Sequence, residues 1–179
     1  MSSSSLKNLV PFEWFEIHSN SRSPQLRVGH SSNFHSASSN IYLIGGANPS
    51  ECFADVHSLS LPSNTSDTFI WTKLIPEDPA LRRYEHSAVL STVNNDQIVF
   101  FGGANTEENF NDVHAFQIST KTIENWTPKD NKLVSPRTHH TSCCLLNGLY
   151  IFSGGFQGAK SVDDSELYRF DFGRVFSQN

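Results

Sequence analysis

The chain has 179 residues, enough for one compact domain with a sizeable core and too few for a second independent one. Its 37% hydrophobic and 12% aromatic content belongs to a folded protein, while a formal net charge of -5 with no Lys or Arg run excludes the electrostatic footprint of a nucleic-acid binder or of a protein held on an anionic membrane surface. No run of 18 apolar residues is present, which excludes direct membrane insertion through a helix.

In chain order, "MSSSSLKNLVPF" carries no apolar stretch of the length a signal peptide needs; residues 1–11 read as a flexible tail, and a cytoplasmic protein is expected. Cys52, Cys143 and Cys144 make a poor disulfide framework and fit a reducing compartment. "FEWFEI" at 12–17 reads as a strand that precedes its own sheet.

From there the chain repeats itself. "IYLIGGAN" (41–48) and "IVFFGGAN" (98–105) are near copies, and "LYIFSGGF" (149–156) is a looser third. Around them other marks recur in fixed order: Trp14, Trp71 and Trp126; Arg27 with His30, Arg83 with His86, Arg137 with His140; the pairs Gly45–Gly46, Gly102–Gly103 and Gly154–Gly155; then Asp55, Asp112 and Asp164. The step from second Gly to Asp is nine each time, whereas Trp to Arg takes 13, 12 and 11 residues, so the rigid block runs from the Gly pair to the Asp. Three units follow, roughly 18–74, 75–127 and 128–179.

A Gly pair after a strand could cradle phosphate, but that needs a Lys-Ser/Thr ending or a third Gly opening a helix. Here a polar loop leads into "DVHSL", "DVHAF" or "DSELYRF", which is β-rich without helical period. The second unit resolves into strands near 86–91, 97–102, 112–118 and 122–127, one four-stranded sheet per unit. The Gly pair then serves a strand exit at positive φ and close backbone approach, and Trp71 and Trp126 fill gaps between successive sheets. Ser153 stands where Ile44 and Phe101 stand in the other units, and Phe176 where a further Trp is expected.

The residues that could carry chemistry read as structural. "HHTSCC" (139–144) offers zinc ligands, but alternation sends His139 and Cys143 to one face and His140 and Cys144 to the other, so no metal site is expected. Asp55 with His57 and Asp112 with His114 share a strand face, and their recurrence favours a repeated structural role over acid-base catalysis. Arg27, Arg83 and Arg137 read as buried guanidiniums donating to backbone carbonyls of the neighbouring sheet rather than as an anion-binding ring. No cofactor and no catalytic residue is expected.

These marks resemble the kelch family, whose pattern is Arg before the first strand, a Gly pair after the second and Trp on the fourth. The resemblance covers about residues 12–178 and implies an all-β, kelch-type β-propeller with about three four-stranded blades. That is an incomplete ring, since closed propellers use roughly four to eight blades. The arc leaves apolar faces bare at both ends, which calls for a partner, self-association or a longer parent chain. "GGAN" twice, "RRYEHS", "FADVH" and "SPRTHHTS" are similar to kelch proteins that serve as effectors of Rab GTPases. That resemblance implies a non-enzymatic scaffold binding a GTP-bound Rab in endosome to trans-Golgi transport, peripheral on endosomal membranes. The alternatives are a kelch adaptor with another protein partner and, more distantly, a metal-dependent kelch enzyme. Recognition is expected on the long loops, with Asn48, Glu51, Asn105, Glu107, Glu108, Asn109, Lys160 and Asp163 as the candidate partner face.

Overall fold

The computed structural model describes residues 11–14, 16–62, 68–152, 154–162 and 165–173. Three successive antiparallel sheets account for nearly all of the regular structure. The first is built in chain order from β1 (Ser31–His35), β2 (Asn40–Ile44), β3 (Val56–Ser60) and β4 (Ile70–Ile75), and the second likewise from β5 (Ser87–Leu90), β6 (Gln97–Phe101), β7 (Val113–Gln117) and β8 (Thr122–Asn125). The third comprises β9 (Thr141–Leu145), β10 (Gly148–Phe152) and β13 (Tyr168–Asp171). A small hairpin, β11 (Phe156–Gln157) with β12 (Lys160–Ser161), occupies its long loop. No α-helix occurs among the described residues, only a 3-10 turn at Pro79–Leu81, and no helix is long and apolar enough to cross a membrane. The described residues form an all-β arc of successive sheets with no closed ring.

The middle blade is apolar on both faces, because β-strand side chains alternate and it has a neighbour on either side. Leu90, Ile98, Phe116 and Ile123 stand opposite one another across the second blade, forming a row on one face. They pack with Tyr42, Ile44 and Val56 of the first blade in one apolar cluster. Its other face sends Val99, Phe101, Val113 and Ala115 into a second cluster with Leu149, Ile151 and Phe170 of the third blade.

Three details differ from the sequence reading. Phe152, not residue 153, stands opposite Thr141 as Ile44 stands opposite Ser31 and Phe101 opposite Ser87, so the third blade carries one extra residue between strand and Gly pair. Residue 153 lies outside the described residues, as do residues 1–10, Asp163, Asp164 and Phe176. Second, Trp71 and Trp126 are not equivalent. Trp71 stands opposite Leu59, the register that Ile123 holds opposite Phe116, and so faces away from the second blade. Trp126 follows β8, packs into the cluster between the second and third blades and lies 5.9 Å from Phe172, so it alone of the two fills a gap between blades. Third, the described residues of 12–17 form no strand, and Phe12 and Trp14 are fully exposed: a fourth strand needs the other three strands of its blade to pair with.

Candidate functional site

Every unit places its Arg at the loop end of its own blade. The Arg27 guanidinium donates to the Gly45 carbonyl at 2.9 Å and to Asp55 at 2.6 Å, and Arg83 donates to the Gly102 carbonyl at 2.8 Å and bidentately to Asp112 at 2.7 and 2.9 Å. The carbonyls belong to the same blade, not the neighbouring one as the sequence suggested. Asp55 also meets His57 at 3.0 Å, and Asp112 meets His114 at 2.9 Å. Burial alone would raise both carboxyls; the hydrogen bonds from His and Arg override it and hold them well below the usual carboxylate range. Phe53 and Phe110 lie under the guanidiniums of Arg27 and Arg83, at 3.8 and 4.5 Å, so these rings pack inward. Each Arg–Asp–His group clamps the loop between the second and third strands of its blade, and the Arg27 group also borders a cleft with Trp71 and Lys73. Arg137, fully buried, donates to Ser135 and to the Gly154 carbonyl; its partner position Asp164 lies outside the described residues.

The His and Gly marks instead hold one blade to the next. His86 Nε2 meets the Ser31 hydroxyl at 2.8 Å, and His140 Nε2 meets Ser87 at 2.8 Å. The Gly46 and Gly103 amides donate to the Arg83 and Arg137 carbonyls of the following blade at 2.8 and 2.9 Å. A third link runs through residues held at positive φ: Glu85 N–H donates to Gly29 C=O, and His139 N–H to Glu85 C=O. Burial, then the neighbouring Arg83, pushes His86 down to about 3; burial, then Arg137, pushes His140 down to about 4. Both rings are therefore neutral at pH 7. Sequence reasoning found the Arg, His and Gly but missed these links; the hydroxyl residue after each His (Ser31, Ser87, Thr141) was the available signal.

The long loops gather on one side. Asn48 Oδ1 accepts from the amides of Ser50 and Glu51, and Asn105 Oδ1 from those of Glu107 and Glu108, an identical turn in two blades. These turns present Glu51, Glu107 and Glu108 to solvent, with Asn109 half-buried beside them and Lys160 exposed at the third blade's hairpin. Two clefts open between the loops. One, of about 250 Å³, is bordered by Tyr84, Glu85, Glu107, Glu108, His139 and Phe156. The other, of about 490 Å³, is bordered by Leu26, Val28, Pro49, Tyr84 and Glu85. The first is acidic and the second apolar, and Glu85 separates them, paired to His139 at 3.1 Å. In "HHTSCC", His139 precedes β9 at positive φ and is engaged by Glu85, while His140 is engaged by Ser87. No group of three metal-ligating residues forms among the described residues.

The family described as the KLHDC2/KLHL20/DRC7 Kelch-repeats domain matches residues 4–172. The chain is similar to curated proteins called Rab9 effector protein with kelch motifs. It is 35% identical to that of Homo sapiens over 166 residues, covering 88% of this chain and 42% of that protein. For Xenopus laevis the identity is 35% over 168 residues (88% and 43%), and for Danio rerio 33% over 174 residues (88% and 48%). The chain thus spans less than half the length of the curated relatives it matches.

Proposed function

The chain belongs to the kelch-repeat family, and on that footing we propose that it is a non-enzymatic interaction scaffold that binds a GTP-loaded Rab GTPase, acting in endosome to trans-Golgi transport from the cytoplasmic side of endosomal membranes. The observation that carries this reading is the similarity, along 88% of the chain, to proteins named as Rab9 effectors. The Arg–Asp–His groups are consumed by the fold, which leaves the loops as the surface free to recognise a partner.

On this reading the partner contacts the loop face through Asn48, Glu51, Asn105, Glu107, Glu108, Asn109, Lys160 and Asp163, of which Asp163 lies outside the described residues. Exposed Glu107 and Glu108 steer a basic patch, and the cleft at Leu26 and Val28 offers apolar contact beside them. An effector reads switch segments ordered by the γ-phosphate, so binding should be strong to the GTP form and weak to the GDP form. Surface plasmon resonance with Rab9 in both nucleotide states is the test. Glu107→Lys with Glu108→Lys should slow association, and the difference should shrink as salt rises. Equal binding to the two states rejects the effector reading and leaves a scaffold for another protein.

A further inference from the structure

The two open ends of the arc are complementary to each other. Each internal seam consists of the same three links with the same polarity, and each end carries the matching half of one further seam. On the first blade, the Gly29 amide has no partner among the described residues, and His30, unlike buried His86 and His140, is exposed and meets no hydroxyl. On the third blade, the His139 carbonyl, the Gly155 amide and the exposed Thr141 hydroxyl lack the partners that Glu85, Gly103 and Ser87 have.

The apolar surfaces match in the same way. Phe34, Ile41, Leu59 and Trp71 stand opposite one another across all four strands of the first blade. They hold the register of Leu90, Ile98, Phe116 and Ile123, which the second blade buries against the first. No described blade covers the first row, and Phe34 is 53% exposed. At the other end, Tyr150 and Phe152 hold the register of Tyr42 and Ile44, which receive the second blade; Phe152 is 46% exposed. Gly154 adds an independent sign. A Cβ on Gly45 or Gly102 would meet the next blade's Arg carbonyl at 2.6 or 2.9 Å, whereas Gly154 has nothing within 4 Å. The third blade thus keeps the clearance for a neighbour that the described residues do not supply. One position departs from the pattern: Arg169 stands where the first and second blades have Ser58 and Ala115. Its guanidinium, 5.8 Å from the Tyr150 ring, would meet the Leu59–Trp71 end of the row, where an aromatic face accepts a cation.

We propose that two copies of this chain associate head to tail, the Phe34–Trp71 face of each seating on the Tyr150–Phe152 face of the other with His30 bonded to Thr141, so that two arcs close a ring. Such an interface is heterologous: it closes if the rotation per blade allows, and six blades fall within the roughly four to eight of closed propellers. The pairing is independent of any Rab.

Sedimentation velocity on the full chain across the micromolar range tests this. The wild type should move to twice the monomer mass as concentration rises. Phe34→Glu and Phe152→Glu each spoil one end at a partly exposed position, and unchanged circular dichroism should confirm their folds. Either variant alone should remain monomeric, while a mixture should regain pairing, more weakly, through its one intact seam. Thr141→Val removes only the hydroxyl, once in each of the two seams, and should weaken the wild-type association roughly 25-fold, about fivefold per seam. A wild type that stays monomeric, assemblies beyond two copies, a dimer of either Glu variant alone, a mixture that stays monomeric, or an unchanged Thr141→Val affinity would each overturn the proposal.

Discussion

The second and third blades carry the same marks in the same order and differ in burial. In the second, β7 is buried at every residue and β6 at all but its first. In the third, the corresponding β10 ends exposed at Phe152, and β13 alternates between half-buried and exposed residues. Their chemistry is close: both middle strands are apolar and aromatic, and both first strands follow an Arg and a His. The difference comes from the neighbours. A blade covered on both faces has no solvent side, and its strands behave like those of a buried sheet; a blade covered on one face becomes half-wet. The composition of a strand in this fold therefore reports the blade class, and its burial reports position in the arc.

That comparison is sharpest at one structural position. Phe101 and Phe152 end the middle strands of the two blades and stand opposite Ser87 and Thr141 respectively. Phe101 is 1% exposed and lies in the cluster between blades. Phe101→Ala should destabilise the chain by about 3–5 kcal/mol in chemical denaturation, the usual range for removing a buried ring. Phe152→Ala, measured at concentrations where the chain is monomeric, should cost under about 1 kcal/mol. Similar losses at both sites would mean that the third blade is covered by something in the monomer.

The Gly pairs give a second, smaller contrast. Gly103 has φ +87°, and a Cβ there would meet the Tyr84 carbonyl at 2.7 Å and the His86 Cβ at 2.8 Å, in the segment that enters its own blade. Gly103→Val should cost about 3 kcal/mol or more, combining backbone strain with a clash against neighbouring backbone. Gly154 has φ +96° and open space, so Gly154→Val retains only the strain and should cost about 1–2 kcal/mol. Equal denaturation midpoints for the two variants would show that backbone conformation, not the close approach of Tyr84 and His86, sets the cost at Gly103.

Much of this was legible in the residues themselves. The four strands of the second unit fall within a residue or two of their expected bounds, because turn residues punctuate short apolar runs. Counting back from the Gly pair misled in the third unit, where one added residue shifts the strand register and puts Phe152 rather than residue 153 at its end. Matching tryptophans misled for a related reason: Trp71 and Trp126 share a neighbourhood in sequence but occupy different registers, and a shift of one or a few residues changes which face a ring joins. The Asp–His and Arg repeats were recognised as structural, yet their convergence on one carboxylate was not visible, since Arg83 and Asp112 are 29 residues apart. The seam links were hidden because they join residues 34 to 56 positions apart through one hydroxyl and backbone groups.

The last contrast separates filled seams from open ones by pH. His86 and His140 are buried in seams and neutral when folded, with values pushed down to about 3 and about 4, against 6.5 in the unfolded chain. Below pH 6.5 the unfolded chain binds protons that the folded chain refuses, so stability falls as pH drops and goes on falling until each folded ring titrates, near 4 for His140 and near 3 for His86. At pH 5.5 each should already have cost about 1 kcal/mol relative to pH 7.5, and the carboxylates held low by Arg and His have not yet begun to contribute there, because Asp55 and Asp112 lose their stabilisation only as pH falls below the ordinary carboxylate range. His86→Gln should lower stability at pH 7.5 but flatten the decline between pH 6.5 and 4.5, and His140→Gln should do the same. His30, exposed on the first blade and lowered from its ordinary value by partial burial and then Arg27, is the comparison: His30→Gln should flatten the slope less than His86→Gln in the monomer. Denaturant midpoints followed from pH 7.5 to 4.5 check this. A slope unchanged by His86→Gln would place the acid sensitivity outside the seams, whereas a His30→Gln variant that flattens the slope as strongly as His86→Gln would show that the first blade's open face is already filled under the conditions of the measurement.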